Sequence, residues 1–301
     1  MSLVATLISN PNKPALTNEI VIAAQKALNA TNINWLADTI ACDLDVPNAL
    51  SQHQAEEILS KCIADLPIDF AVQENSTRKK KVLIADMDST MINEECIDEL
   101  AAEVGVKDKV SAITSKAMNG EIEFDSALRE RVALLKGLPE EIYKDVIKNR
   151  ITLASGGKQL VATMKKHGGY CALVSGGFTL FTNPIGHEIG FDENRANILL
   201  TENGKLSGLV QEPILGAQAK VTALNDIAKI KGLTPVDFIA VGDGANDLPM
   251  LKLAGTGVAL HAKPSVAAQA KIKMNHSDLT ALLYLQGYRQ KDFALSNKKG
   301  D

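Results

Sequence analysis

At 301 residues, with 46% hydrophobic and 23% charged side chains, the chain can fill a substantial core and has room for two domains. A formal net charge of −4 leaves no basic footprint for nucleic acid, and 4% aromatic residues argue against stacking platforms for bases. No run approaches about eighteen continuous apolar residues, and residues 1–16 carry Asn, Pro and Lys where a signal peptide needs an apolar stretch, so a cytoplasmic location is expected. Cys42, Cys62, Cys96 and Cys171 are scattered without C-x-x-C pairing and read as thiols of a reducing compartment, not a zinc site or disulfide framework.

Residues 1–75 read as a unit of their own. Leu3 to Ile8 is a strand, and Thr17-Asn18-Glu19 caps an amphipathic helix to about Leu28. A β-like stretch from Asn34 to Leu44, a helix from Gln52 to Ala64 and a short strand from Ile68 to Val72 complete a small α+β sandwich. No catalytic constellation lies in it, and His53, beside Glu56 and Glu57, reads as solvated helix surface. The polar run Gln73 to Lys80 reads as a linker.

Val82 to Ala85 is a short apolar run bounded by charge, the pattern of a buried parallel strand. It leads into Asp86-Met87-Asp88-Ser89-Thr90, placing two carboxylates one residue apart at the carboxyl edge of a strand, where open α/β sheets bind ligands. A calcium loop fails, because its sixth and twelfth positions need Gly and Glu and here hold Met91 and Ile97. A plain acidic surface turn and a magnesium-assisted phosphoryl-transfer site both remain open on this motif alone.

From 93 to 152 the pattern is helical throughout: Glu94 to Ala102, Val106 to Met118, Phe124 to Leu135 and Glu140 to Asn149, separated by turn signals at Gly105, Asn119-Gly120 and Gly137-Leu138-Pro139. This reads as a helical insertion over the end of the first strand, a position that suits a lid. The α/β alternation then resumes. A helix from Ser155-Gly156-Gly157 to about His167 precedes an apolar strand, Tyr170 to Val174, that ends at Ser175-Gly176-Gly177. Such a turn offers a hydroxyl and backbone N–H groups to an anion, but is weak evidence alone. Asn203-Gly204 between β-rich flanks signals a hairpin. Lys220, at the start of a helix to about Lys231, would by itself read as a solvated lysine. Asp237 to Val241 is another apolar strand, ending in Gly242-Asp243-Gly244-Ala245-Asn246-Asp247. A helix at Leu248 to Leu253, strands at Thr256 to Leu260 and Lys271 to Met274, and a helix from Asp278 to Tyr288 follow, with a polar tail from Gln290 to Asp301 expected to fray.

In order, strand–DMDST, strand–SGG, helix-start Lys and strand–GDGAND resemble the four motifs of the haloacid dehalogenase-like phosphohydrolases. Glu95 and the run Phe124-Asp125-Ser126-Ala127-Leu128-Arg129-Glu130-Arg131 are similar to the phosphoserine phosphatase branch of that family. The resemblance covers about residues 80–290, and residues 1–75 resemble more loosely an ACT-like region. It implies an α/β fold: a Rossmann-like parallel-sheet core (80–92 and 153–290), a helical cap insertion (93–152) and the small N-terminal α+β domain (1–75). It further implies that Asp86 is the nucleophile, that Asp88 is the general acid and base, and that Lys220 takes part in catalysis. Mg²⁺ would be held by Asp86, the Asp88 backbone carbonyl and Asp243, with Asp247 supporting that shell. Ser175, Gly176 and Lys220 would hold phosphoryl oxygens, with Asn246 orienting them. Glu95 and Arg131 would take the ammonium and carboxylate of O-phosphoserine, and Met118 and Phe124 would close an apolar wall. The implied reaction is the last step of serine biosynthesis.

Other readings give different expectations. A phosphotransferase, or a phosphatase acting on another small phosphomonoester, could use the same aspartyl phosphate. A ligand sensor would explain the N-terminal domain but not the four motifs. Without the family pattern, Arg131 reads as a solvent-facing partner for a carboxylate. Exposed strand edges in residues 1–75 lead to the expectation of a homodimer, with no nucleic-acid or membrane partner.

Overall fold

A computed structural model describes residues 2–294. The chain divides into two compact units, the first built from residues 2–81, 155–169 and 272–294, the second from 82–154 and 170–271.

The first unit opens with β1 (Leu3–Ser9), α1 (Asn18–Leu28), β2 (Ile33–Ala37), β3 (Ala41–Val46), α2 (Gln52–Cys62) and β4 (Ile68–Glu74). Both helices start at hydroxyl caps: Thr17 accepts from the Ile20 N–H, and Ser51 forms a capping box with Gln54. The four strands form an antiparallel sheet in the order β2-β3-β1-β4, a split β-α-β arrangement. Leu7, Leu28, Leu44 and Leu59 pack in the core between sheet and helices. The stretch expected as one strand from Asn34 to Leu44 is two. It reverses at Asp38-Thr39-Ile40, with Thr39 in the left-handed region at φ 57°. The run from 73 to 80 is not a loose linker: Gln73 donates to the Leu285 carbonyl, Arg78 pairs with Asp43 at 2.9 Å, and the Lys80 N–H donates to Gln286. His53 is exposed helix surface, as expected.

The second unit begins with β5 (Val82–Ala85) and continues through four helices, α3 (Cys96–Ala102), α4 (Lys107–Met118), α5 (Phe124–Ala133) and α6 (Ile142–Arg150). The insertion is therefore helical, as its periodicity indicates. Its two ends meet, with the Asn93 N–H donating to the Thr152 carbonyl and the Ala154 N–H to that of Met91. Next comes α7 (Gly157–Lys166), which belongs to the first unit. Back in the second unit lie β6 (Tyr170–Phe178), α8 (Thr179–Ile189), β7 (Glu193–Asn197), β8 (Leu199–Glu202), β9 (Lys205–Val210), α9 (Ala217–Lys231), β10 (Phe238–Gly242), α10 (Leu248–Leu253), β11 (Thr256–Leu260) and α11 (Pro264–Ala267). The Asn203-Gly204 hairpin joins β8 to β9, both turn residues at positive φ. Ser175-Gly176-Gly177 is not a separate turn: β6 runs through it to Phe178, with an irregular register against β7.

Five strands of this unit lie side by side in the order β11-β10-β5-β6-β7, all parallel. Their apolar runs are buried on both faces, as continuous hydrophobic strands require. From β5 the chain builds outward through β6 and β7, then returns to add β10 and β11 on the other side. The β5–β10 junction is thus a switch point, where the carboxyl ends of neighbouring strands open a crevice.

The chain then returns to the first unit with β12 (Ile272–Met274) and α12 (Ala281–Leu285). The final helix is much shorter than the expected Asp278 to Tyr288, because Asp278 instead accepts the Thr280 N–H and hydroxyl in a local turn. The first part of the polar tail is ordered: Gln290–Asp292 makes a turn whose Asp292 carbonyl accepts from Lys166. Residues 295–301 of the tail lie outside the described residues. The four cysteines are free thiols, Cys62 partly exposed and the others buried.

Candidate active site

The motif after β5 and the motif after β10 meet at the switch point. The Asp86 N–H donates to the Val241 carbonyl at 3.0 Å, locking the two strand ends together. Asp86 is buried, and its Oδ1 accepts from the Met87 N–H at 2.8 Å and from Lys220 Nζ at 2.7 Å. Lys220, in the first turn of α9, is only 1% exposed and also donates to Asp247 Oδ1 at 2.6 Å. The solvated reading of this lysine does not hold: its ammonium bridges two buried carboxylates. Asp247 Oδ2 takes the N–H groups of Asp243 and Gly244 at 3.2 and 3.1 Å. A Cβ at Gly242 would stand 2.3 Å from the Asp247 carboxyl carbon, so only glycine allows this fold-back. The Thr90 hydroxyl donates to Asp243 Oδ1 at 3.2 Å.

Asp86, Asp243 and Asp247 bring carboxylate oxygens within 4.8 Å of one another. Burial, and then Asp247, push the Asp86 carboxyl up to about 7 despite the opposing pull of Lys220. Burial, with Glu95 next, raises Asp243 well above the usual carboxylate range. One lysine does not offset this many buried carboxylates, and an all-oxygen donor set suits a hard divalent cation. Asp247 already uses both oxygens on Lys220 and backbone N–H groups. That leaves Asp86 and Asp243 as the side chains best suited to hold such an ion, with Asp247 behind them.

Asp88 lies beside this cluster, its Oδ1 accepting from the Cys96 N–H at 3.1 Å, and burial raises its pKa. Ser89 bends the chain at φ 53°, and its hydroxyl donates to Glu95 Oε1 at 2.5 Å. One cavity is lined by Asp86, Asp88, Glu95, Met118, Phe124, Arg131, Ser175, Gly176 and Asn246, so the expected catalytic and substrate-binding residues other than Lys220 face one space. Asp243, Asp247 and Lys220 stand behind Asp86. Ser175 Oγ accepts the Gly177 N–H at 2.8 Å. Phe124 packs on Gly176, where a Cβ would meet its ring at 2.7 Å.

On α5, Arg131 is buried, contrary to the solvent-facing reading. Its Nε donates to the Ala127 carbonyl at 3.2 Å and its Nη1 to the Thr114 hydroxyl at 3.0 Å. Neither acceptor is charged, and no ion pair to a described residue holds the guanidinium. Glu95 shares the cavity, and burial, with Asp88 adding to it, pushes its carboxyl up to about 8. Sequence reasoning missed Ile97, Ala117, Leu128, Gly177 and Phe178 on the cavity wall, and Thr90 behind Asp243. Thr90, Leu128, Gly177 and Phe178 stood in or beside quoted motifs without being given a role; Ile97 and Ala117 fell in stretches read as plain helix.

The model of the haloacid dehalogenase-like hydrolase family matches residues 83–252. Phosphoserine phosphatase of Archaeoglobus fulgidus is 42% identical over 238 residues, covering 77% of this chain and 69% of the relative. Among solved structures, a HAD-family hydrolase from Salmonella enterica serovar Typhi superposes with a TM-score of 0.83 at 29% identity, covering 94% of this chain and 98% of its own. A substrate-bound phosphoserine phosphatase superposes with a TM-score of 0.66 at 43% identity, covering 68% and 98%.

Proposed function

The chain belongs to the haloacid dehalogenase-like hydrolases, and from that premise we propose that it is an Mg²⁺-dependent phosphomonoesterase converting O-phospho-L-serine to L-serine and phosphate. In this reading the reaction is the last step of serine biosynthesis and runs in the cytoplasm. Asp86 attacks phosphorus, and the bond from phosphorus to the serine oxygen breaks. Asp88, whose pKa burial raises, gives a proton to that oxygen, which would otherwise leave as a poor alkoxide. Asp88 then takes a proton from water, whose oxygen attacks phosphorus and releases Asp86 from the aspartyl phosphate. Lys220 balances charge as an anionic nucleophile meets an anionic phosphoryl group. Asp86, the Asp88 backbone carbonyl and Asp243 would hold Mg²⁺, with Asp247 supporting them. When bound, the ion supplies a Lewis acid for the phosphoryl oxygens. Ser175, Gly176 and Asn246 hold and orient those oxygens. The two ends of the amino acid fall to Glu95 and Arg131, under Met118 and Phe124.

The observation that carries the substrate choice is a buried arginine in the same cavity as Asp86, held only by neutral acceptors. A buried cation without a direct counter-charge favours a ligand that brings a carboxylate. Arg131→Ala is expected to lower kcat/KM for phosphoserine by roughly ten- to a hundred-fold, and to affect O-phosphoethanolamine, which lacks the carboxylate, far less. Equal losses on both substrates would remove the assignment. By role, residues 80–92 and 153–290 form the phosphatase core, 93–152 the lid and 1–75 an ACT-like appendage through which the chain forms a homodimer.

A further inference from the structure

Building on the reading of Arg131 as the group that takes the substrate carboxylate, we infer that Thr114 and Asp98 are positioning residues. They fix the guanidinium and so set the preference for carboxylate-bearing substrates. Thr114 lies on α4, Asp98 on α3 and Arg131 on α5, so three helices of the insertion converge on one buried polar chain. Thr114 accepts from Arg131 Nη1 and has a single hydrogen to give. Asp98 Oδ1 lies 2.7 Å away and the Val110 carbonyl 3.1 Å. The shorter contact is also the charged one, so the hydroxyl points to Asp98 and turns its lone pair to the arginine. The other Asp98 oxygen takes the Ser111 hydroxyl at 2.5 Å, which holds that carboxylate in place.

This arrangement leaves free donors that a direct Asp–Arg pair would take, while keeping an opposite charge nearby. A carboxylate touching Arg131 would occupy the donors that a substrate needs. One hydroxyl further away, Asp98 still supplies opposite charge to a buried guanidinium. With Nε on Ala127 and Nη1 on Thr114, the plane of the fork is set, and Nη2 has no acceptor among the described residues. Thr114 is not part of the cavity wall, so its effect on a substrate passes through Arg131.

The test compares O-phosphoserine with O-phosphoethanolamine, which keeps the phosphate and ammonium but has no carboxylate. Thr114→Val removes the hydroxyl at nearly constant volume. It is expected to lower kcat/KM for phosphoserine by about tenfold or more, mostly through KM, with phosphoethanolamine changed by no more than about twofold. Thr114→Ser is expected to restore the preference, and Asp98→Asn to lower it in the same substrate-selective way, giving a second route if Thr114→Val folds poorly. Equal losses on both substrates, or a preference that survives both Thr114→Val and Asp98→Asn, would overturn the inference while leaving the phosphoserine assignment intact. A wild-type enzyme with no preference between the two substrates would overturn that assignment, and this inference with it.

Discussion

A Cβ at Gly177 would stand 2.7 Å from Asp88 Oδ2 and 3.0 Å from Ser175 Oγ, so a glycine at this position lets the Asp88 carboxylate, the proposed proton-transfer group, sit against β6. Gly177→Ala is therefore expected to cut kcat by at least about tenfold, since small displacements of reacting groups are costly, while thermal unfolding stays cooperative. Unchanged kcat would show that Asp88 tolerates the shift. At this scale the grouping of Asp86 with Asp243 and Asp247 was legible, because two acidic clusters each follow an apolar strand, although the first motif alone left a plain surface turn open. Lys220 and Arg131 were legible only through family resemblance. Their burial depends on partners far along the chain: Lys220 on Asp86 and Asp247, Arg131 on Thr114. Helical spacing alone cannot announce such partners.

At the scale of elements, the apolar runs of β5 and β10 and the Asn203-Gly204 hairpin were readable because each carries a local signature. The reversal between β2 and β3 was not, since Thr39 adopts a left-handed turn without the Gly or Asn that usually marks one. The glycines of Ser175-Gly176-Gly177 suggested a turn, yet they serve close approach inside a strand: Phe124, the first residue of α5, packs onto Gly176. In the proposed reading the start of α5 is the part of the insertion that covers the phosphate end. Phe124→Ala is expected to raise the ratio of kcat/KM for p-nitrophenyl phosphate to that for phosphoserine by about tenfold, through lost apolar contact with the small substrate. An unchanged ratio would mean that the ring does not close over bound substrate.

Across the whole molecule, the interleaving of the first unit was not readable. Asp69 on β4 accepts the N–H groups of Asn275, His276 and Ser277, as well as the Ser277 hydroxyl. Backbone donors leave no mark in a sequence. The buried carboxylates also give the molecule a pH signature. Asp86 and Glu95 are raised to about 7 and about 8, and Asp243 is raised too. Folded pKa values above the unfolded ones mean that this stability is full below about pH 4 and lost as pH rises through 7 to 8. Metal-free protein is expected to lose thermal stability between about pH 5 and 8.5. Mg²⁺, in displacing the protons of Asp86 and Asp243, should restore more at the upper end than at the lower. A Mg²⁺ effect independent of pH would contradict the shared site. The β2 edge of the four-stranded sheet offers unpaired backbone groups. Sedimentation of the full chain is expected to give twice its 32.2 kDa mass, and a single-chain mass would remove the dimer.

The most direct test of the enzyme assignment measures inorganic phosphate released from a panel of phosphomonoesters, with Mg²⁺ and after exhaustive chelation, by the wild type and Asp86→Asn. The expected result is highest kcat/KM for O-phospho-L-serine, activity lost on chelation and recovered with Mg²⁺, and no turnover by a verified, non-deamidated Asp86→Asn protein. Full activity without metal, sustained turnover by that variant, or no preference for phosphoserine would contradict it.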